Sequence, residues 1–251
     1  MTYDTDMEGR THFMKKHRRT LAALAFALAM SLALTACDTL NASLGDLLGN
    51  KLDATAYIQG QLDEIYLGKF DPSYLEMVGI TEHEAQAVYA DGMDVEAGTF
   101  IQAFSIEYPT DDFKARMAEL YKSLYAFSDY TVISSAQQSD GSYSVKVTVR
   151  PLDTIQLMYD AFPDFREEFE AKYADTDTDA MSDAEFQDWY ENVYDLEYQN
   201  GLADLFEKLI PETGTLEEKS IAVQIEKGAD GYYAINDESF SNLNALIIDY
   251  N

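Results

Sequence analysis

Two stretches of this chain change hydrophobic period from helical to extended, and each folds back on itself at an Asp-Gly turn. Tyr130-Thr131-Val132-Ile133 and Tyr143-Ser144-Val145-Lys146-Val147-Thr148-Val149 flank Asp140-Gly141. Side chains alternate across a strand, so Val145, Val147 and Val149 share one face, and Ser144, Lys146 and Thr148 the other. Glycine reaches the positive φ that a tight reversal needs, which makes Asp-Gly between alternating runs a strong hairpin signal. Ser220 to Ile225 and Tyr232 to Ile235, turning at Asp230-Gly231, repeat the pattern. The two turns hint at a weak internal duplication, although chance similarity between hairpins is the preferred account.

Around these hairpins the apolar spacing is helical. Tyr57, Ile58, Leu62, Ile65 and Tyr66 form one face between a capping Asp53 and a terminating Gly68. Asp71-Pro72 precedes a short helix through Leu75 to Val78, and Thr81 with Glu84 is a capping box for a longer helix running past Gly92 to Phe104. After Pro109, Phe113, Met117, Leu120, Tyr121, Leu124 and Tyr125 make the most regular helical face of all. Further helices are expected from Thr154 to about Tyr173, kinked or split at Pro163, from Asp183 to Leu209, and around Phe240, Leu243, Leu246 and Ile247. The order helices, hairpin, helices, hairpin, helix predicts an α+β fold, with helices packed on an antiparallel sheet built from two hairpins.

Upstream of this domain, Lys15, Lys16, His17, Arg18 and Arg19 lead into an apolar run from Leu21 to Leu34, closing on Leu34-Thr35-Ala36-Cys37. A cationic start, a short apolar core and small residues at the exit are the marks of a secretory signal. As a helix the run reaches about 21 Å against about 30 Å of hydrocarbon, so it suits processing better than spanning. Asp4, Asp6 and Glu8 do not fit such a leader, so translation is expected to start at Met14. The division is therefore a signal peptide over 1–36, a tether over 37–52 and an extracytoplasmic α+β domain over 53–251. In the tether, Leu40, Leu44, Leu47, Leu48 and Leu52 recur at helical spacing, against Gly45 and Gly49. A short amphipathic piece is expected there, packed on the domain or lying on the membrane.

Leu34-Thr35-Ala36-Cys37 resembles the lipobox of bacterial lipoproteins. That resemblance implies diacylglycerol on the Cys37 thiol, cleavage before it and further acylation of the new amino terminus, for instance with palmitate. It places the protein in the cell envelope, held to the membrane by its lipid. A thiolate is the side chain nucleophilic enough for thioether formation at ordinary pH. Two or three acyl chains, at about 0.8 kcal/mol per buried CH₂, hold a protein without a transmembrane helix. Cys37 is the only cysteine, so the domain carries no disulfide and depends on packing, which 47% apolar and 13% aromatic residues permit.

Seventeen basic residues against 46 acidic ones give a formal net charge of −29. Nucleic acid is excluded as a partner because its phosphates are bound through Lys and Arg. Anionic lipid is repelled too, which leaves membrane attachment to the lipid anchor. Divalent cations, cationic peptides and basic protein surfaces are favoured, unless the charge serves solubility alone.

The layout resembles the cone-shaped nuclear-transport-factor-2-like or cystatin-like domains of Gram-positive lipoproteins. The residues carrying it are Asp53-Ala54-Thr55-Ala56-Tyr57 to Gly68 and Asp230-Gly231-Tyr232-Tyr233-Ala234-Ile235-Asn236-Asp237. It implies a concave pocket under the helices and no particular activity.

Two stretches are candidates for chemistry. Asp175-Thr176-Asp177-Thr178-Asp179 begins like a calcium loop, but Ala180 and Phe186 stand where such a loop needs Gly and a bidentate Glu. Ser182 with Glu185 offers the preferred account, a capping box beside a solvated loop, with weak Ca2+ binding at Asp175, Asp177 and Asp179 as the alternative. Tyr190, Tyr194 and Tyr198, next to Trp189, form a stripe that could stack on sugars or cage a cation, or border the core with rings buried and hydroxyls wet. His83 is the only histidine beyond the leader, which removes histidine zinc sites and Ser-His or Cys-His nucleophiles. No other cofactor motif is present. The chain reads as a non-enzymatic binding module of the envelope. The alternatives are a hydrolase using paired carboxylates and a divalent-cation-dependent adhesion or assembly module.

Overall fold

The computed structural model describes residues 52–228 and 231–248. The leader, Cys37, the tether up to residue 51 and Asp230 lie outside them. Helices α1 (Ala54–Leu67), α2 (Pro72–Val78), α3 (Glu82–Ala103) and α4 (Asp111–Tyr125) precede the hairpin of β1 (Asp129–Gln137) and β2 (Tyr143–Arg150). Between the hairpins come α5 (Thr154–Lys172), α6 (Asp183–Trp189), a π-helical turn (Tyr190–Tyr194) and α7 (Asp195–Leu209). Strands β3 (Lys219–Lys227) and β4 (Tyr233–Ile235) and helix α8 (Asp237–Ile247) follow.

The expected end signals act locally. Asp53 accepts from Ala56 N at 3.1 Å to start α1, and Gly68 ends it at φ +57 with its N–H on Glu64 O at 3.2 Å. Thr81 and Glu84 close both bonds of their box at the start of α3, at 2.7 and 3.2 Å. Pro163 sits inside α5 without splitting it.

The four strands form one antiparallel sheet in the order β1-β2-β3-β4. Val145, Val147 and Val149 face inward, joined by Val223 and Ile225, while Lys146 faces solvent. Strand β1 runs beyond the expected Ile133 to Gln137. A bulge at Ile133, between the pairs Val132–Val147 and Ser134–Lys146, resets the register and hides the alternation. The turn is a five-residue loop, with Gln138 N donating to Ser142 O at 2.8 Å and Gly141 at φ +91.

Packing against the inner face holds the domain together. Ile58, Leu62, Tyr66, Phe100, Met117, Tyr121, Leu124 and Phe206 are fully buried, each contributing about 1.5–3 kcal/mol relative to exposure. Tyr66 and Tyr125 lie 5.1 Å apart, and Phe206 is 5.3 Å from both Phe100 and Tyr121. No helix among the described residues is long and apolar enough to cross a membrane.

Candidate functional site

Helix α5 starts beside the sheet, and its second half pairs with the chain returning through α6, the π turn and α7. Phe162, Phe165, Phe169 and Tyr173 recur three and four residues apart, so they share one face of α5. Against that face stand Trp189, Tyr194 and Tyr198. Tyr194 lies 5.0 Å from Phe169, 5.2 Å from Tyr173 and 5.4 Å from Trp189, and stacks on Tyr190 at 5.5 Å and 17°. Tyr198 meets Phe165 and Phe169 at 5.9 and 5.3 Å. The expected single helix is interrupted here, because the π turn takes an extra residue and offsets the apolar faces of α6 and α7.

Polar groups tie the outside of this aromatic arm. The Tyr173 hydroxyl donates to Glu197 at 2.7 Å, and the Lys172 ammonium pairs with the same carboxylate. The bond from Lys172, then that from Tyr173, holds the Glu197 carboxyl below its usual range. Burial and the bond to Glu197 push the Tyr173 phenol up to about 12. Rings at these separations fill the space between themselves, so a ligand would meet their outer faces and not a cage.

Those outer faces are set by a buried polar clamp. Asp195 is 2% exposed and accepts from Tyr108 N at 3.0 Å and Glu107 N at 3.4 Å. Fully buried Gln199 accepts from Thr110 N at 2.9 Å and donates to Tyr108 O at 3.2 Å. The Tyr198 hydroxyl donates to Phe104 O at 3.1 Å. The clamped loop contains Ser105 at φ +56, a left-handed conformation that costs energy in a residue with a side chain. Its product is the position of Tyr108, edge-on to Tyr190 at 6.0 Å and 80° and accepting from Gln187 Nε2 at 2.9 Å. Phe186 stacks on the same Tyr190 at 5.9 Å and 26°. Tyr108, Phe186 and Val193 are 39%, 40% and 38% exposed, half of the large apolar side chains exposed among the described residues.

Trp189, Tyr190, Tyr194 and Tyr198 are thus brought into one cluster, while Tyr108 and Phe186 were missed. Tyr108 sits in an aperiodic loop, and Phe186 attracted notice only as a residue unfit for a calcium loop. Asp175, Asp177 and Asp179 are exposed in a turn that ends in one 3-10 turn, Thr178–Ala180. Among the described residues no three Asp, Glu, His or Cys side chains are placed to hold a metal ion. Ser182 and Glu185 do form the capping box, at 2.9 and 3.4 Å, and the bond that the Ser182 hydroxyl donates at 2.7 Å, then that from Ser182 N, holds the Glu185 carboxyl low.

Three carboxylates are buried among the described residues: Glu64, Glu96 and Asp195. Burial raises the Glu64 pKa, and the Tyr74 hydroxyl that donates to it works against the rise. Glu96 accepts from the Tyr125 hydroxyl at 2.6 Å. An open groove of about 630 Å³ lies elsewhere, along α5, lined by Phe162, Pro163, Arg166, Glu167, Glu170, Ala171 and Ala174. Its two carboxylates are exposed, and Arg166 pairs with Glu170 at 3.1 Å. The buried acids therefore stand apart from the groove and are engaged in holding structure.

No protein-family model matches the chain, and no curated protein matches it. Among solved structures it is similar to the proposed lipoprotein YcdA of Bacillus subtilis, with 17% identity and a TM-score of 0.49. The likeness covers 79% of this chain, which spans 57% of that protein's length.

Proposed function

We propose that this protein is a lipid-anchored binding module of the cell envelope, and that the aromatic arm is its binding surface. The observation that carries the reading is the convergence on Tyr108, Tyr190 and Phe186 of a π turn, a left-handed serine and a buried Asp195–Gln199 clamp. The π turn and the left-handed serine are locally unfavourable and the clamp holds the loop that carries the serine; such features concentrate where a surface must be held in one shape. The anchor is supported by Leu34-Thr35-Ala36-Cys37 after an apolar run too short to span.

The test has two parts. Cys37→Ser should leave the precursor unprocessed and without labelled palmitate, and normal processing with normal labelling would refute the anchor. A photoreactive phenylalanine at position 186 should crosslink a partner in intact cells, whereas one at Phe127, an exposed ring in the turn between α4 and β1, should not. An empty lane at 186 would refute the arm as the surface.

A further inference from the structure

The arm's chemistry also selects its occupant. The stretch from Asp183 to Asp195 contains Asp183, Glu185, Asp188, Glu191 and Asp195 and not one Lys or Arg. The clamped loop that presents Tyr108 adds Glu107, and α4 then opens on Asp111, which pairs with Lys114 at 3.1 Å, and Asp112. Asp183 precedes Phe186 by three positions and Tyr190 by seven, so it shares their side of the helix. Glu191 takes a bond from Gln187, whose amide also reaches the Tyr108 hydroxyl, and so lies at the edge of the rings. The arm's nearest cations are already committed, Lys172 to Glu197 and Arg166 to Glu170. Flat aromatic faces edged by uncompensated carboxylates match a guanidinium or ammonium lying on a ring while its charge meets an acid. Phosphate, anionic glycan and anionic lipid are repelled by the same acids.

We infer that the face formed by Tyr108, Phe186 and Tyr190, edged by Glu107, Asp183 and Glu191, docks a cationic segment of a partner protein, one carrying Arg or Lys beside apolar residues. The inference rests on the arm being the binding surface and specifies what occupies it. Tyrosine and arginine are the side chains that most often carry binding energy where such surfaces meet. Because the rings are already placed by the clamp, little ordering cost falls on this side of the complex.

Trp189 is the only tryptophan in the chain and lies 6.0 Å from Phe186 and 5.4 Å from Tyr194, so its fluorescence reports on this face. The experiment titrates the full lipidated protein, in nanodiscs of phosphatidylcholine, with a peptide of alternating arginine and leucine. Its glutamate-leucine counterpart and the neutral tetramer of N-acetylglucosamine serve as comparisons. The arginine peptide should change Trp189 emission saturably, with a Kd that weakens about tenfold or more in Phe186→Ala and stays unchanged in Phe127→Ala. Equal affinity for wild type and Phe186→Ala would overturn the inference, since undirected attraction to an acidic chain would then suffice. Silence with the arginine peptide would overturn it too, as would a response to the tetramer instead. If crosslinks still form from position 186 in cells in either case, the arm remains the binding surface and only its occupant is wrong.

Discussion

Two mid-helix glycines should respond to the same substitution with opposite signs. Gly60 lies within α1 and Gly98 within α3, where replacement by Ala ordinarily gains about 0.5–1 kcal/mol by restricting the unfolded chain. A Cβ at Gly98 meets no atom within 4 Å, so the gain should appear in full. A Cβ at Gly60 falls 2.3 Å from Tyr74 Cγ and 2.5 Å from Tyr74 Cβ. Those atoms are the root of the side chain, so the ring cannot swing clear unless α2 moves. Overpacking of this kind costs about 1–3 kcal/mol. Displacing Tyr74, which is 5% exposed and donates to buried Glu64, adds about 1.5–3 kcal/mol. After the helix gain, Gly60→Ala should destabilise by about 1.5–5.5 kcal/mol, against a gain of up to about 1 kcal/mol for Gly98→Ala. By thermal unfolding that is a fall of roughly 3–20 °C for the first and a rise of about 1–4 °C for the second. Shifts of the same sign would refute the close approach of α1 and α2.

The remaining expectations concern charge and capping. Burial raises the Glu64 pKa, so its contribution to folding is greatest below the unfolded value, about 4.3, and is lost as pH rises through the folded one. Glu64→Gln should therefore exceed wild type in Tm at pH 7 and converge with it near pH 4; a variant less stable at pH 7 would count against this. In Asp195→Asn an amide donor faces a backbone donor, at a cost of about 1–3 kcal/mol. Hydrogen exchange at residues 107–110 should quicken while β2 and β3 stay protected, and unchanged exchange would show that the clamp is not what holds the loop. Ser182→Ala should cost α6 about 1 kcal/mol, seen as faster exchange over 183–189. Millimolar calcium should leave the wild-type Tm unmoved, and a rise abolished by Asp177→Asn would restore the metal reading.

What could be read in advance was what neighbours in sequence decide. Asp53, Gly68 and the Thr81–Glu84 box act within a turn of themselves, and the alternation of Val145, Val147 and Val149 states its own face. The continuation of β1 was invisible, because past the bulge Ser134, Ser135 and Ala136 carry no apolar alternation. The π turn leaves no trace in Tyr190–Tyr194, whose composition suits an α-helix equally well. Asp195 and Gln199 look like members of a solvated helix face, and only the distant loop 104–110 makes them interior. For the same reason the tyrosine stripe was legible as a cluster but not as a surface, since Tyr108 arrives from nearly ninety positions away.

The chain order of the sheet bears on how it assembles. Strands β2 and β3 lie side by side, Val145 opposite Val223, yet the whole run from Pro151 to Glu218 separates them. Closing that span costs about 2 kcal/mol more chain entropy than closing the five-residue turn between β1 and β2. Each hairpin can form early from neighbours, whereas their union must wait until the intervening helices have folded back and shortened the gap. The central seam of the sheet is then expected to close after the two hairpins, so the arm between its strands bears on assembly as well as on the surface it presents.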